Sequence, residues 1–306
     1  MIRMFAVVLC ALALLPGLAV AQSADDAAAF RARQLFVDGN YAAALAILQP
    51  LAAKGHPRAE TVLGVMTERG LGLPADIKRA VDLYRAAAEQ GFAPAMHNLG
   101  SAYENGDGGL AKDEATAREW YWKAAGQDYG PSLNNLGLFL RDGKGGAKDP
   151  ETALALFERA AALGNADGTA QLAYMLATGD GAVIDLPRAR DLYAVAAAQK
   201  VDWAERDYGE MLELAEGGPK DLPQAIVYYT RAAKQANAMA GMDIAEMVWA
   251  NPDAFPDKVA GLAWCFWAEA QPPMWDGTEY DGRCTPELGR YSEAEVAAAR
   301  EQAKGF

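Results

Sequence analysis

The sequence predicts an all-α protein, a right-handed α-solenoid of stacked antiparallel helix pairs, and three observations carry that prediction. A large apolar residue followed by a small one recurs as Leu63-Gly64, Leu99-Gly100, Leu136-Gly137, Leu172-Ala173, Tyr208-Gly209 and Ile244-Ala245, at intervals of 36, 37, 36, 36 and 36. An aspartate keeps the same phase (Asp76, Asp113, Asp149, Asp185, Asp221, Asp257), with Ala80, Ala117, Ala153, Ala189, Ala225 and Gly261 four residues on. Four beyond those stand Tyr84, Tyr121, Phe157, Tyr193, Tyr229 and Cys265. Three columns sharing one period over six copies mark a repeat array whose units bury their apolar faces only by stacking.

In chain order, the first segment is expected to be a secretory signal peptide. Arg3 precedes an uncharged run from Phe5 to Leu15, and Ala19-Val20-Ala21 supplies the small residues of a cleavage site. The run is too short to span a bilayer. Cleavage after Ala21 leaves residues 22–306 as a single repeat domain, periplasmic or secreted and without an integral membrane segment. A leading helix pair occupies residues 24–55, the regular repeats cover about 58–270, and a tail with a capping helix covers 271–306.

Within each unit, positions such as Ala95, Leu99, Gly100 and Tyr103 share one helical face. The small residue admits a close neighbour. Glycine-rich turns follow, as at Gly70-Leu71-Gly72, Gly106-Asp107-Gly108-Gly109, Gly143-Lys144-Gly145-Gly146, Gly179-Asp180-Gly181 and Gly217-Gly218-Pro219. The recurring aspartate then caps the second helix. Pro150, Pro187 and Pro223 fit its first turn, where a missing N–H costs nothing. The second helix buries residues such as Ala153, Leu156, Phe157, Ala160 and Ala161, and three copies end at Gly55, Gly91 and Gly164. Asp128, Lys200 and Ala236 stand at that place elsewhere, and those ends are expected to be less sharply defined. Pro272-Pro273 stops the last pair, and Ser292 with Glu295 forms a capping-box signature for a helix over Val296 to Lys304 that covers the open end of the stack.

These residues resemble the Sel-1-like repeat, a relative of the tetratricopeptide repeat, with the pattern A-x-x-x-L-G-x-x-Y-x-x-G-x-G…D-x-x-x-A-x-x-[LW]-[YF]-x-x-A-A-x-x-G. The best copies run from Ala95 to Gln127 and from Ser132 to Gly164, and Gly39-Asn40-Tyr41-Ala42-Ala43-Ala44 has a more tetratricopeptide-like form. The resemblance implies a protein-binding scaffold, often in bacterial envelopes or secreted. Some cysteine-rich relatives are linked to β-lactamase-like or penicillin-binding activity, so a cell-wall-active hydrolase is the alternative. This chain lacks their cysteine pair in each unit.

Composition narrows the function further. The 306 residues carry 28 Lys plus Arg against 41 Asp plus Glu, a formal charge of -13 with no basic run, so a nucleic-acid partner is not expected. Only His56 and His97 are present, and HExxH, GxSxG, SxxK, CxxC and a P-loop are all missing. No catalytic residue, metal ligand or cofactor is expected. The loop aspartates offer one or two carboxylates each, fewer than calcium takes, and helix capping explains them. His56, before Pro57, is expected to be a solvated loop residue.

Two cysteines outlast the signal segment, and in an oxidising compartment Cys265 and Cys284 are expected to pair, contributing about 3 kcal/mol in the loop-entropy picture. Trp249, Trp264, Trp267 and Trp275 are expected to lie under the folded-over tail. By analogy with tetratricopeptide arrays, first-helix positions two before and two after the large apolar residue line a concave binding face for a protein or peptide of the cell envelope. These are Thr61, Val65, His97, Ser101, Asn134, Leu138, Ala170, Tyr174, Arg206, Glu210, Met242 and Glu246, with Glu68, Glu104, Arg141 and Glu213 one turn on.

Overall fold

A computed structural model of the protein describes residues 16–272 and 282–306. Most of the expected signal segment lies outside these residues, as do Pro273 and Trp275. Among the described residues every regular element is helical. A leading pair, α1 (Pro16–Val37) and α2 (Tyr41–Ala53), precedes six hairpins. These are α3 (Pro57–Arg69) with α4 (Ile77–Glu89), α5 (Ala93–Asn105) with α6 (Glu114–Ala125), and α7 (Gly130–Asp142) with α8 (Pro150–Ala162). Then come α9 (Ala166–Thr178) with α10 (Leu186–Ala198), α11 (Asp202–Leu214) with α12 (Leu222–Ala233), α13 (Ala238–Ala250) with α14 (Lys258–Glu269), and the closing helix α15 (Glu293–Ala303). None of them is long and apolar enough to cross a membrane. This is the α-solenoid class that the repeat predicts.

The chain packs as two compact units: residues through Ser132 together with Lys144–Gly146, and Leu133–Gly143 together with Ala147 onward. In the first unit, α1, α2 and α3 close around Ala32, Leu48, Leu63 and Met66. A second cluster joins α4 and α5 through Val81, Tyr84, Met96 and Leu99. The second unit ends in a cluster that runs from Leu212 to Ala299.

The six recurring aspartates cap the second helices as expected. Each carboxylate accepts from a first-turn backbone N–H, for example Asp76 from Arg79 at 2.9 Å and Asp221 from Gln224 at 3.0 Å. In the five copies from α3 to α12 the aspartate's own N–H donates back to the first helix, at Thr67, Tyr103, Leu140, Leu176 and Leu212, which closes the hairpin. A pair of columns in the sequence turns out to be one contact. A Cβ placed on Gly64 would lie 2.5 Å from the Tyr84 ring, and one on Gly137 would lie 2.5 Å from Phe157. Gly100 with Tyr121 and Gly209 with Tyr229 repeat the arrangement. The small residue exists because the aromatic ring of its own hairpin lies against the helix backbone.

The ends at Asp128, Lys200 and Ala236 are as sharply defined as the glycine ends, contrary to expectation. All three residues adopt the left-handed conformation, with φ of 56°, 66° and 67°. The six-to-one hydrogen bond of the glycine copies is kept, as in Val201 N–H to Ala196 O at 3.3 Å and Asn237 N–H to Ala232 O at 3.2 Å. The next helix must start from that turn, so stacking imposes the conformation on residues that disfavour it by about 1–2 kcal/mol.

The closing helix caps the last hairpin as expected. Ser292 and Glu295 form the reciprocal capping box, with Ser292 N–H donating to Glu295 at 2.8 Å. Trp249 Nε1 donates to Tyr291 Oη at 2.7 Å, and Phe306 stacks on Trp264 at a centroid distance of 3.9 Å. Cys265 and Cys284 form the expected disulfide across this region.

Candidate binding face of the first helices

Helix rotation decides which side chains of the first helices reach solvent. Thr61, Asn134 and Met242, two before the large apolar residue, are buried, and the Thr61 hydroxyl is spent on Pro57 O at 2.7 Å. His97 and Arg206 at the same place are half-buried. Two after the apolar residue, Val65, Ser101, Leu138 and Glu210 are half-buried, while Tyr174 and Glu246 are exposed. Positions two before and two after lie four residues apart, about 40° round the helix, so they share a stripe, and its earlier edge is the more buried one. The residue one before the apolar position lies three before the later one, on its other side, and borders the same face. That column reads Asn98, Asn135, Gln171, Asp207 and Asp243, all half-buried. The sequence carried its signal: five consecutive copies place an amide or acid there.

The glutamates one turn on are committed to the hairpins. Tyr84 Oη donates to Glu68 at 2.6 Å, Tyr121 to Glu104 at 2.7 Å and Tyr229 to Glu213 at 2.9 Å. In the hairpin where the ring is Phe157, which has no hydroxyl, Arg141 replaces the glutamate. Arg141 instead reaches the first helix of the following hairpin, α9, donating to Gln171 Oε1 at 2.7 Å and lying 5.4 Å over the Tyr174 ring. In the copy where the glutamate position is Ala177, the Tyr193 hydroxyl bonds to Asp207 of the following helix.

Further along the second unit the same stripe turns acidic. The Arg206 guanidinium contacts Asp243 at 2.6 Å, Asp207 at 3.1 Å and Glu210 at 3.6 Å. Burial pushes the Asp207 and Asp243 carboxyls up to about 6, with Arg206 opposing the shift and Glu210 adding to it. One guanidinium thus serves three carboxylates.

In the first unit α3, α4 and α5 line a partly open cavity of about 170 Å³. Val65, His97 and Ser101 line it together with Glu68, Arg69, Tyr84, Asn98 and Asp107. His97 Nδ1 pairs with Ser132 Oγ at 2.9 Å, and its ring lies 5.4 Å from Tyr121 and 5.5 Å from Tyr129. Burial among these groups lowers its pKa to about 4, so the imidazole is neutral at physiological pH. His56 is not a solvated loop residue. Its side chain is 12% exposed and pairs with Asp26 at 3.0 Å, because the leading helix α1 packs over the turn that carries it.

At the capped end, Glu269 lies beside Cys265 and Cys284, and its carboxylate accepts from Cys284 N–H at 2.8 Å. With both sulfurs in the disulfide, this trio is a covalent and hydrogen-bonded tie, not a thiolate metal set.

The repeat model described as "Sel1 repeat" matches residues 57–92, 93–129, 130–165, 166–201 and 204–237, more than half of the chain. The chain belongs to the Sel1 repeat family. The Sel1 matches span α3 to α12, and the copy with Gly261 and Cys265 in place of alanine and an aromatic lies beyond them. A Sel1 repeat protein from Oxalobacter formigenes is 29% identical with a TM-score of 0.70, over 80% of this chain and 99% of that one. The protein c5321, described as a protective antigen of uropathogenic Escherichia coli with an SLR fold, is 27% identical with a TM-score of 0.69. That alignment covers 94% of this chain and 63% of c5321. No curated protein matches this sequence. Sel1 repeat proteins are generally protein-interaction scaffolds, and the fold is typically non-catalytic.

Proposed function

We propose that this protein is an exported, non-catalytic scaffold that holds a partner protein or peptide on the solvent-facing stripe of its first helices. The observation that carries the reading is the stripe itself. Within the second unit Asn135, Leu138, Gln171, Tyr174, Asp207 and Glu210 follow one another helix by helix, with amides and an aromatic giving way to carboxylates. Such a surface offers hydrogen bonds, an aromatic anchor and a negative end to an extended chain with basic residues. Arg141, Gln171 and Tyr174 form its most compact contact set.

Export rests on the charged start, the apolar run and Ala19-Val20-Ala21. Amino-terminal sequencing of protein recovered from the periplasm or medium should read from Gln22, and a chain retained inside the cell with Met1 refutes export. For the binding face, Arg141, Gln171 and Tyr174 are replaced together by alanine and the chain is crosslinked in its native envelope. Loss of the crosslinked partner with unchanged helicity supports the face, and unaltered capture moves it elsewhere.

A further inference from the structure

We propose that the cavity between α3, α4 and α5 is a subsite for an uncharged side-chain carboxamide, that of a glutamine or asparagine on the bound partner. The inference deepens the scaffold reading above and rests on it for the source of that side chain.

The cavity has a cause in the repeat. Two residues after the large apolar position, α3 and α5 carry Val65 and Ser101, where the following copies carry Leu138 and Tyr174. The smaller side chains leave about 170 Å³ open, room for more than one water and for the end of a glutamine side chain.

Its hydrogen-bonding groups are unspent. Neither the Asn98 amide nor the Ser101 hydroxyl has a hydrogen-bond partner within the described protein. Asn98 and Ser101 are three residues apart on α5 and face the same way. Together they offer N–H and O–H donors beside two acceptor oxygens, the complement of a carboxamide, which needs both. Glu68 takes the Tyr84 hydroxyl on one oxygen and keeps the other for a ligand N–H.

Charge argues against an ionic occupant. The lining carboxylates Glu68 and Asp107 already accept from Tyr84 and Asn105, and the Arg69 guanidinium lines the same cavity. A carboxylate would meet two like charges there. A cation would have to compete with the Arg69 guanidinium already beside the same two carboxylates. A neutral polar group makes the hydrogen bonds without either cost.

The test uses the full chain and its two histidines, of which only His97 lines the cavity. The imidazole proton resonances are followed by NMR while N-acetyl methylamides of glutamine, leucine, lysine and glutamate are titrated. The expected result is a saturable shift of His97 with the glutamine derivative and none with the other three. Ser101→Leu, which installs the side chain of the next copy, should abolish the shift with far-UV circular dichroism unchanged. Asn98→Ala should weaken binding about fivefold or more, the loss of one to two hydrogen bonds. No saturable shift with glutamine, an equal shift with leucine, or stronger binding of lysine or glutamate overturns the proposal. These titrations need no partner, so their failure leaves the scaffold reading standing, and failed crosslinking leaves the subsite standing.

Discussion

Replacing Gly137 by alanine sets two opposing effects against each other. In a helix interior the change is worth about 1 kcal/mol in favour of alanine. Against it, the new Cβ would stand 2.5, 2.7 and 3.0 Å from three carbons of the Phe157 ring. That ring is fully buried. Overpacking of this kind costs about 1–3 kcal/mol, and three contacts this short put it at the upper end. The net expectation is a destabilisation of about 1–2 kcal/mol, read as a lower urea midpoint at unchanged m-value. Phe157→Leu removes the ring atoms concerned, so in that background Gly137→Ala should change sign and stabilise, which makes the double-mutant cycle decisive. A neutral or stabilising Gly137→Ala in the native background would refute the argument that the glycine column exists for the aromatic column.

Three further outcomes follow from the same structure. Lys200→Gly and Ala236→Gly should each raise stability by about 0.5–1 kcal/mol in urea unfolding, because glycine relieves the left-handed φ of 66° and 67° at a smaller entropic cost. Acidification from pH 7.5 to 5 should move the two units in opposite directions. Asp207 and Asp243, raised from 3.8 to about 6, bind protons more tightly when folded, so the stability they withhold at neutral pH returns, about 1–3 kcal/mol for the coupled pair. His97, lowered from 6.5 to about 4, binds its proton more weakly when folded, so about 2 kcal/mol is lost by pH 5. Hydrogen exchange should therefore show α5 less protected and α11 and α13 more protected at pH 5, and parallel changes would sink the assignment. Thiol titration of unfolded, unreduced protein should find Cys265 and Cys284 unreactive, and reduction should cost about 3 kcal/mol, felt first at α15.

The amino-acid order by itself determined the helical repeat and where the aspartate-capped second helices begin. Those properties rest on contacts within about twenty residues: the carboxylate of Asp76 on its own first turn, or the ring of Tyr84 against Gly64 in the same hairpin. A periodic pattern repeats such contacts and makes them legible. The pairing of Cys265 with Cys284 was legible too, since beyond the expected signal segment, which holds Cys10, these two are each other's one partner. The tertiary structure alone decided what each side chain meets across repeats. It turned Thr61 and Met242 inward and brought Asn98 and Ser101 to one cavity. It also half-buried His56 against α1 and held Lys200 and Ala236 in a glycine conformation. These outcomes depend on the volume, charge and rotation of a neighbouring helix some thirty or more residues away, and no local pattern encodes them.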